Sequence, residues 1–144
     1  MTLEATPTSV ASRRQRVVGP LLTGGAVLAT TVALHFRDPH QHGSWGLCPL
    51  YALTGIYCPG CGALRATNDL SNGHLWQAAS SNLLFVALIP LIVFVYVRWV
   101  ADAWNDVRRP RNVALQRNLG IGLLGLMAVF TIARNLPFGT WLAP

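Results

Sequence analysis

Three long apolar runs divide the chain, and each has a length that favours a helix across a membrane. The runs extend from Val17 to Phe36, from Leu75 to Val97 and from Leu119 to Ala133. A bilayer core of about 30 Å needs roughly 20 helical residues at about 1.5 Å each. The first two runs contain 20 and 23 residues, and Pro90 inside the second predicts a kink.

The third run is the shortest, with 15 residues before Arg134 and Asn135. It crosses the bilayer if polar side chains at its ends extend toward the interfaces, which places the third span at about residues 119–136. We therefore predict an all-α membrane protein with three transmembrane helices. Residues 1–16 are expected to form a mobile cytoplasmic tail, and residues 17–144 a single membrane domain.

The first apolar run has a second interpretation, a cleaved export signal. The segment Ser12–Arg14 resembles the start of a twin-arginine signal, and Val27 and Ala29 satisfy a small-residue cleavage rule. However, the run is longer than the roughly 7–15 apolar residues of a signal core. Arg16 also stands where a twin-arginine signal prefers an apolar residue. We therefore predict a retained membrane anchor.

Composition and charge agree with a membrane protein. Apolar residues make up 52% of the chain and charged residues 11%, against about 25% charged residues in soluble proteins. The net charge is +6, and all 11 basic residues are arginines. These arginines flank the apolar runs and are not interleaved with aromatic residues on a polar face, which argues against a nucleic-acid partner.

The arginines also predict the orientation of the chain, because positive residues favour the cytoplasmic side. Arg13, Arg14, Arg16, Arg98, Arg108, Arg109, Arg111 and Arg117 would lie on one side, and Arg37, Arg65 and Arg134 on the other. The N-terminus and residues 98–118 are therefore predicted to be cytoplasmic, and the C-terminus to lie outside. Tryptophans favour the two interfaces, and they fall near the expected depths. These are Trp45, Trp76 and Trp141 on the outer side and Trp99 and Trp104 on the inner side.

About forty residues separate the first two spans, which is typical of a functional loop. Residues 46–72, called here the cysteine loop, hold all three cysteines, Cys48, Cys58 and Cys61. The loop is rich in apolar residues, so we expect it to lie on the outer surface of the bilayer or to enter it as a re-entrant segment. A short helix is predicted from Gly60 to Leu70.

The segment Cys58-Pro59-Gly60-Cys61-Gly62 has the spacing of a metal knuckle. Proline and glycine turn the backbone so that amide N–H groups point at the sulfurs, which suits a tetrahedral zinc or iron site. Cys48 adds a third thiolate. The fourth ligand would come from His74, His42, His40 or a second subunit, and zinc is the cofactor that this interpretation favours.

The same cysteines fit two other interpretations, and spacing alone leaves all three open. In a thiol–disulfide couple, Cys58 would attack, Cys61 would resolve and Cys48 would exchange with the pair. An outward-facing loop lies in an oxidising compartment, which permits a disulfide. In a structural role, the thiols brace the loop, and their odd number leaves at least one thiol free or paired between chains.

Four polar residues complete the candidate site. Arg65 and Asp69 share one face of the predicted short helix with Cys61, and they are expected to form a surface pair worth about 0.3–0.5 kcal/mol. Arg134 and Asn135 follow the third run on the side of the membrane that holds the cysteine loop. They either hydrogen-bond to the backbone of this loop or mark the membrane boundary.

The cysteine motif and two later groups of residues carry a resemblance to a known family. The pattern is Cys48-Pro49-x3-Leu53-Thr54-Gly55-x2-Cys58-Pro59-Gly60-Cys61-Gly62-x2-Arg65-Ala66, then Asn82, then Arg134-Asn135-x-Pro137. It resembles a bacterial family of small polytopic membrane proteins that is classed as a domain of unknown function. The resemblance implies a short polytopic membrane protein in which the cysteine motif and the terminal Arg-Asn pair belong together. It implies no substrate, cofactor or activity.

The sequence contains no carboxylate pair, no nucleophile–base set, no phosphate-binding loop and no charged residue within the three runs. We therefore expect a non-catalytic accessory or scaffold subunit of a larger membrane assembly or homo-oligomer. Its cysteine loop would be braced by a metal ion or a disulfide. The alternative is a membrane thiol–disulfide oxidoreductase that uses the Cys58–Cys61 pair.

Overall fold

The chain folds into helices alone, in a computed structural model that describes residues 12–41, 48–110 and 112–142. The elements are α1 (Arg13–Phe36), α2 (Pro49–Thr54), α3 (Ala63–Ser71), α4 (Leu75–Asn105), α5 (Val113–Asn135) and a C-terminal 3₁₀ helix (Pro137–Leu142). The predicted all-α class is therefore confirmed. Residues 1–11 of the predicted tail, residues 46 and 47 of the cysteine loop, His42, Trp45 and Arg111 lie outside the described residues.

Three of the helices, α1, α4 and α5, are long and apolar enough to cross a membrane by their length and composition. Each extends beyond the apolar run that predicted it. The α1 helix begins at Arg13 because the Ser12 and Gln15 side chains cap each other's backbone N–H groups. Residues 13–16, which were expected in the tail, are therefore helical. The α5 helix begins at Val113, where the Asn112 side chain accepts a hydrogen bond from Leu115 N at 3.0 Å.

The arginine-rich ends of α1 and α4 meet at one end of the molecule. Arg16 Nε donates to the Ala103 carbonyl at 3.3 Å and lies 3.3 Å from the Asp106 carboxylate. The Arg13 guanidinium lies 5.2 Å from the centre of the Trp104 ring. We call this the arginine end.

At the opposite end, α3 lies against both α1 and α4. The Asn68 amide donates to the Leu34 carbonyl at 2.6 Å, and the His35 Nδ1 and Ser71 Oγ atoms are 3.1 Å apart. Most of the buried residues gather here. They are Leu34, Cys61, Ala66, Asn68, Asp69, Ala78, Ser81, Asn82, Leu84, Phe130 and Arg134. The buried core of the molecule is thus small and partly polar, and it surrounds the cysteine loop.

The α4 helix departs from helical dihedral angles at Asn82, with φ −161° and ψ 90°, a position that the sequence did not predict. Pro90 lies inside α4, and the kink expected there stays a prediction. The Asn82 Oδ1 atom accepts a hydrogen bond from Phe85 N at 2.9 Å. This bond caps the part of α4 that follows the break. The sequence pattern missed the break because its cause is a contact with the cysteine loop.

Candidate functional site

The structure brings the three cysteines together. Their sulfur atoms all lie within 4.8 Å of one another, and we call them the thiol cluster. The Cys58 and Cys61 sulfurs are 3.0 Å apart, and the Cys48 and Cys58 sulfurs 3.6 Å. Cys61 is buried, whereas Cys48 and Cys58 are half-buried, and all three are free thiols.

Local sequence signals explain how Cys48 reaches the other two cysteines. Cys48 precedes α2, whose first residue is Pro49, a residue favoured at the first position of a helix. The α2 helix ends at Gly55, which adopts φ 70°, and the chain turns back toward Cys58. Gly62 adopts φ 82° at the start of α3. Because side chains disfavour positive φ, these two glycines fix the path of the loop.

The backbone of residues 58–62, called here the cysteine turn, presents its N–H groups and its carbonyl groups to different partners. On the sulfur side, Cys58 N donates to Cys61 Sγ at 3.2 Å. Cys61 N donates to the Cys58 carbonyl at 3.1 Å, which closes the turn. The N–H contact with sulfur is of the kind that the knuckle spacing predicts, and it favours a negative charge on Cys61 Sγ.

The pKa values of two of the thiols shift in opposite directions. The pKa of Cys48 falls to about 7, chiefly because the backbone N–H of Tyr51 bonds to the sulfur, with a smaller contribution from the Cys61 thiol. The pKa of Cys61 rises to about 12, chiefly because burial disfavours the thiolate. In the metal-free cluster, Cys48 therefore ionises well before Cys61.

The carbonyl groups of the cysteine turn bind two side chains from the long helices. The Asn82 amide of α4 donates to the carbonyls of Pro59 at 2.9 Å and Cys61 at 3.0 Å. The Arg134 Nη1 atom of α5 donates to the carbonyls of Cys58 at 2.9 Å and Cys61 at 3.0 Å. The Cys61 carbonyl thus accepts from both helices, and the turn joins α3 to α4 and α5.

Arg134 is a buried cation, with 2% of its surface exposed. Its Nη2 atom donates to the Leu142 carbonyl at 2.8 Å, while Nε is buried without a hydrogen-bond partner. The guanidinium lies 5.0 Å from the centre of the Phe130 ring and 5.7 Å from that of Tyr57. Within the described part of the chain, no carboxylate forms an ion pair with it.

Asn135 forms hydrogen bonds with the backbone of Tyr57, the residue that precedes the cysteine turn. Tyr57 N donates to its Oδ1 atom at 2.9 Å, and its Nδ2 atom donates to the Tyr57 carbonyl at 3.0 Å. The Tyr57 ring stacks on that of Tyr51, with centres 4.5 Å apart. Of the two interpretations open for Arg134 and Asn135, hydrogen bonding to the loop backbone is the one that the structure shows.

The predicted surface pair between Arg65 and Asp69 is wrong. Asp69 is only 5% exposed and faces α4, where its Oδ2 atom accepts from Ser81 Oγ at 3.2 Å. The same Oδ2 atom lies 3.6 Å from His40 Nε2. No ion pair forms between the described side chains of Arg65 and Asp69. The helical spacing placed them on one face but gave no sign that Asp69 is covered by α4.

The histidines that the structure describes, His35, His40 and His74, are not part of the thiol cluster. His74 precedes α4, and its backbone N–H bonds to the Asp69 carbonyl at 2.8 Å. His40 pairs with Asp38 and Asp69. Among the described residues, the group close enough to share an ion consists of the three cysteines. A ligand role for His74 therefore remains a prediction that the geometry does not favour.

Asn82 is the site residue whose role the sequence did not predict. In the sequence, Asn82 stood out only as part of the pattern that resembles the family. The sequence does place an amide side chain within an apolar run. Because polar groups are energetically unfavourable inside a membrane, such a residue usually has a hydrogen-bond partner.

Comparison with known proteins finds one family whose sequences resemble part of the chain. The sequence profile of a family described as "Protein of unknown function (DUF2752)" matches residues 48–96, which include the thiol cluster, α2, α3 and most of α4. The resemblance to a family of unknown function is thus confirmed. No curated protein and no solved structure matches the chain.

Proposed function

We propose that this protein is a non-catalytic accessory or scaffold subunit of a membrane assembly, and that the cysteine loop is the ordered part it presents to that assembly. The observation that carries the proposal is the set of hydrogen bonds from Asn82 and Arg134 to the carbonyls of the cysteine turn. In these bonds, the polar side chains of α4 and α5 bind the backbone of the loop and hold it in place. A catalytic site would direct such groups toward a substrate.

The exposed surface of the three long helices supports the accessory role. The α5 helix buries only Phe130 and Arg134, and both lie near its C-terminal end. Leu124 in the middle of α5 is 68% exposed, and Val95 of α4 is 57% exposed. Lipid covers such residues in part, and a larger membrane protein or a second copy of the chain would cover the rest.

The proposal places the arginine end in the cytoplasm and the thiol cluster on the outer face of a bacterial plasma membrane. The support is the excess of arginines at the end where α1 begins and α4 ends. The thiol cluster lies at the opposite end of α1 and α4, beside the C-terminal end of α5. In this orientation the cysteine loop is available to partners outside the cytoplasm.

Separate substitution of the cysteines tests the scaffold role. We expect Cys58→Ser and Cys61→Ser to reduce the abundance of the protein in membranes to a similar, several-fold extent, because each removes a side chain that orders the same turn. Gln77→Ala, an exposed position near the start of α4, is the control and should leave abundance unchanged. A stable variant that accumulates a mixed disulfide would instead indicate an exchange enzyme, because only loss of the resolving thiol traps this intermediate. Cys61→Ser would trap it if Cys58 attacks the substrate, and Cys58→Ser would trap it if Cys48 attacks.

A thiol–disulfide oxidoreductase is the second candidate, and the contact between Cys48 and Cys58 favours it. Their sulfurs are 3.6 Å apart, and Cys48 is half-buried. In such an enzyme, the Cys48 thiolate would attack a disulfide of a substrate protein and release one substrate thiolate. Cys58 would then attack Cys48 Sγ and release the second. Two electrons and two protons would pass to the substrate, and an external dithiol would regenerate the pair.

A further inference from the structure

We infer that the thiol cluster binds one divalent, thiophilic cation such as Zn²⁺, and that Arg134 supplies the positive charge that neutralises the loaded site. The inference rests on the proposed structural role of the cysteine loop and names the group that braces it. Zinc–sulfur bonds of about 2.3 Å in a tetrahedral site put the sulfurs about 3.8 Å apart.

The positions of the sulfur atoms suit such an ion. The separations of 3.0 and 3.6 Å are both shorter than the tetrahedral value, the second only slightly, and all three sulfurs lie within 4.8 Å of one another. Side-chain movements of about 1 Å or less would therefore admit the ion. The hydrogen bond from Cys58 N to Cys61 Sγ already stabilises a negative sulfur, as in metal–thiolate knuckles.

The charge of Arg134 specifies a divalent ion. Three thiolates and one divalent ion carry a net charge of −1, which one buried guanidinium cancels. Its hydrogen bonds go to the carbonyls of Cys58 and Cys61, and the ionisable groups that act on it are Cys61, Cys58 and Tyr57. A monovalent ion would leave one negative charge in excess, and a buried excess charge is strongly disfavoured.

A disulfide between Cys58 and Cys61 explains Arg134 less well. Such a disulfide is neutral, so it would remove both of the thiolates nearest to the guanidinium. Arg134 would then remain 2% exposed, with no anion beside it among the described residues. Buried arginines without a counter-ion are rare, which favours the metal–thiolate state.

Metal titration of the full-length protein in detergent tests the inference, and the charge of the loaded site is its specific readout. When Zn²⁺ binds three thiols, three protons leave and the site becomes negative. When arsenite, As(OH)₃, binds three thiols, three water molecules leave and the site stays neutral. A charge-balancing arginine should therefore matter for Zn²⁺ and not for arsenite.

We expect the wild-type protein to bind one Zn²⁺ per chain. Arg134→Gln should weaken Zn²⁺ binding about tenfold or more and change arsenite binding less than about threefold. Arg134→Lys, which keeps the charge, should recover most of the Zn²⁺ affinity. Gln77→Ala, at an exposed position near the start of α4, is the control and should bind both ligands as the wild type does.

Two results would overturn the inference. If the wild-type protein binds no divalent ion, the metal site is refuted, while the scaffold role is still decided by the cysteine substitutions described above. If Arg134→Gln weakens Zn²⁺ and arsenite binding equally, Arg134 only shapes the turn and does not balance its charge.

Discussion

Asn82 connects two parts of the molecule through a single side chain. Its Oδ1 atom caps the second part of α4 at Phe85 N, and its Nδ2 atom bonds to the Pro59 and Cys61 carbonyls. The side chain is fully buried. Its removal would deprive Phe85 N and the Pro59 carbonyl of this partner, while the Cys61 carbonyl would keep its hydrogen bond from Arg134. Each polar group left unpaired is costly.

Asn82→Ala should therefore destabilise the protein by about 2–3 kcal/mol, the cost of leaving one or two buried polar groups unpaired. It should also make Cys61 reactive to a maleimide under native conditions. Unfolding in detergent, followed by near-UV circular dichroism, measures the first effect, and mass spectrometry of labelled peptides measures the second. Gln77→Ala serves as the control, and equal stability of the two variants would contradict the role given to Asn82.

The thiols provide a second prediction for single residues, in the metal-free, reduced protein. Because the pKa of Cys48 is lowered to about 7, its thiolate persists to lower pH than that of an ordinary cysteine. Its rate of alkylation should rise with pH to a midpoint near 7, whereas Cys61, whose pKa is raised to about 12, should stay unreactive at that pH. A Cys48 midpoint above about 8.5, the ordinary value, would contradict the hydrogen bond from Tyr51 N.

At the scale of the elements, α1 and α4 meet where Tyr96 of α4 contacts Pro20 and Gly24 of α1. The Tyr96 hydroxyl donates to the Pro20 carbonyl at 3.0 Å. A methyl group at Gly24 would collide with this hydroxyl, whereas one at Gly25 would meet nothing within 4 Å. A larger side chain is thus excluded at Gly24 but has room at the neighbouring Gly25.

Gly24→Ala should displace Tyr96, break its bond to Pro20 and destabilise the protein by about 1–3 kcal/mol, as overpacking usually does. Gly25→Ala should be neutral or slightly stabilising, because alanine favours the helix. Thermal unfolding of the two variants in the same detergent makes the comparison. Equal melting temperatures would show that the contact between α1 and α4 does not depend on Gly24.

The elements also show what the sequence could and could not predict. The three spans follow from the lengths of the apolar runs, and the proximity of the cysteines follows from their spacing and from the turn residues around them. The burial of Asp69 and the break at Asn82 depend on contacts between α3, α4 and the cysteine turn. Such contacts join residues far apart in the chain, and no local pattern encodes them. The role of Arg134 was open for the same reason, since Cys58 lies 76 positions away in sequence.

At the scale of the whole molecule, the chain has two unlike ends. The arginine end carries ion pairs between Arg16 and Asp106 and between Arg109 and Asp102. The other end carries the thiol cluster, with the Trp76 and Trp141 rings 5.2 Å apart beside it. Tryptophan pairs of this kind favour a membrane interface. In the proposed topology, three spans put the two termini on opposite sides of the membrane.

Reporter fusions test this orientation. Alkaline phosphatase fused after residue 144 should be active, because the enzyme folds only outside the cytoplasm, and green fluorescent protein at the same site should be dark. The matched fusion after residue 109, which lies between α4 and α5, should give the reverse. Fluorescence from both fusion sites would show that α5 does not cross the membrane.

The state of the three thiols is tested most directly by labelling intact cells with a membrane-impermeant maleimide and reading the mass of the protein. The cells are left untreated, treated with an impermeant reductant or treated with an impermeant chelator. We predict labelling of Cys48 and Cys58 only after chelation, because these half-buried thiols would face outward and hold a metal ion. Labelling only after reduction would mean a disulfide and would contradict the metal-braced cluster, and labelling of untreated cells would mean unliganded thiols and would contradict it as well.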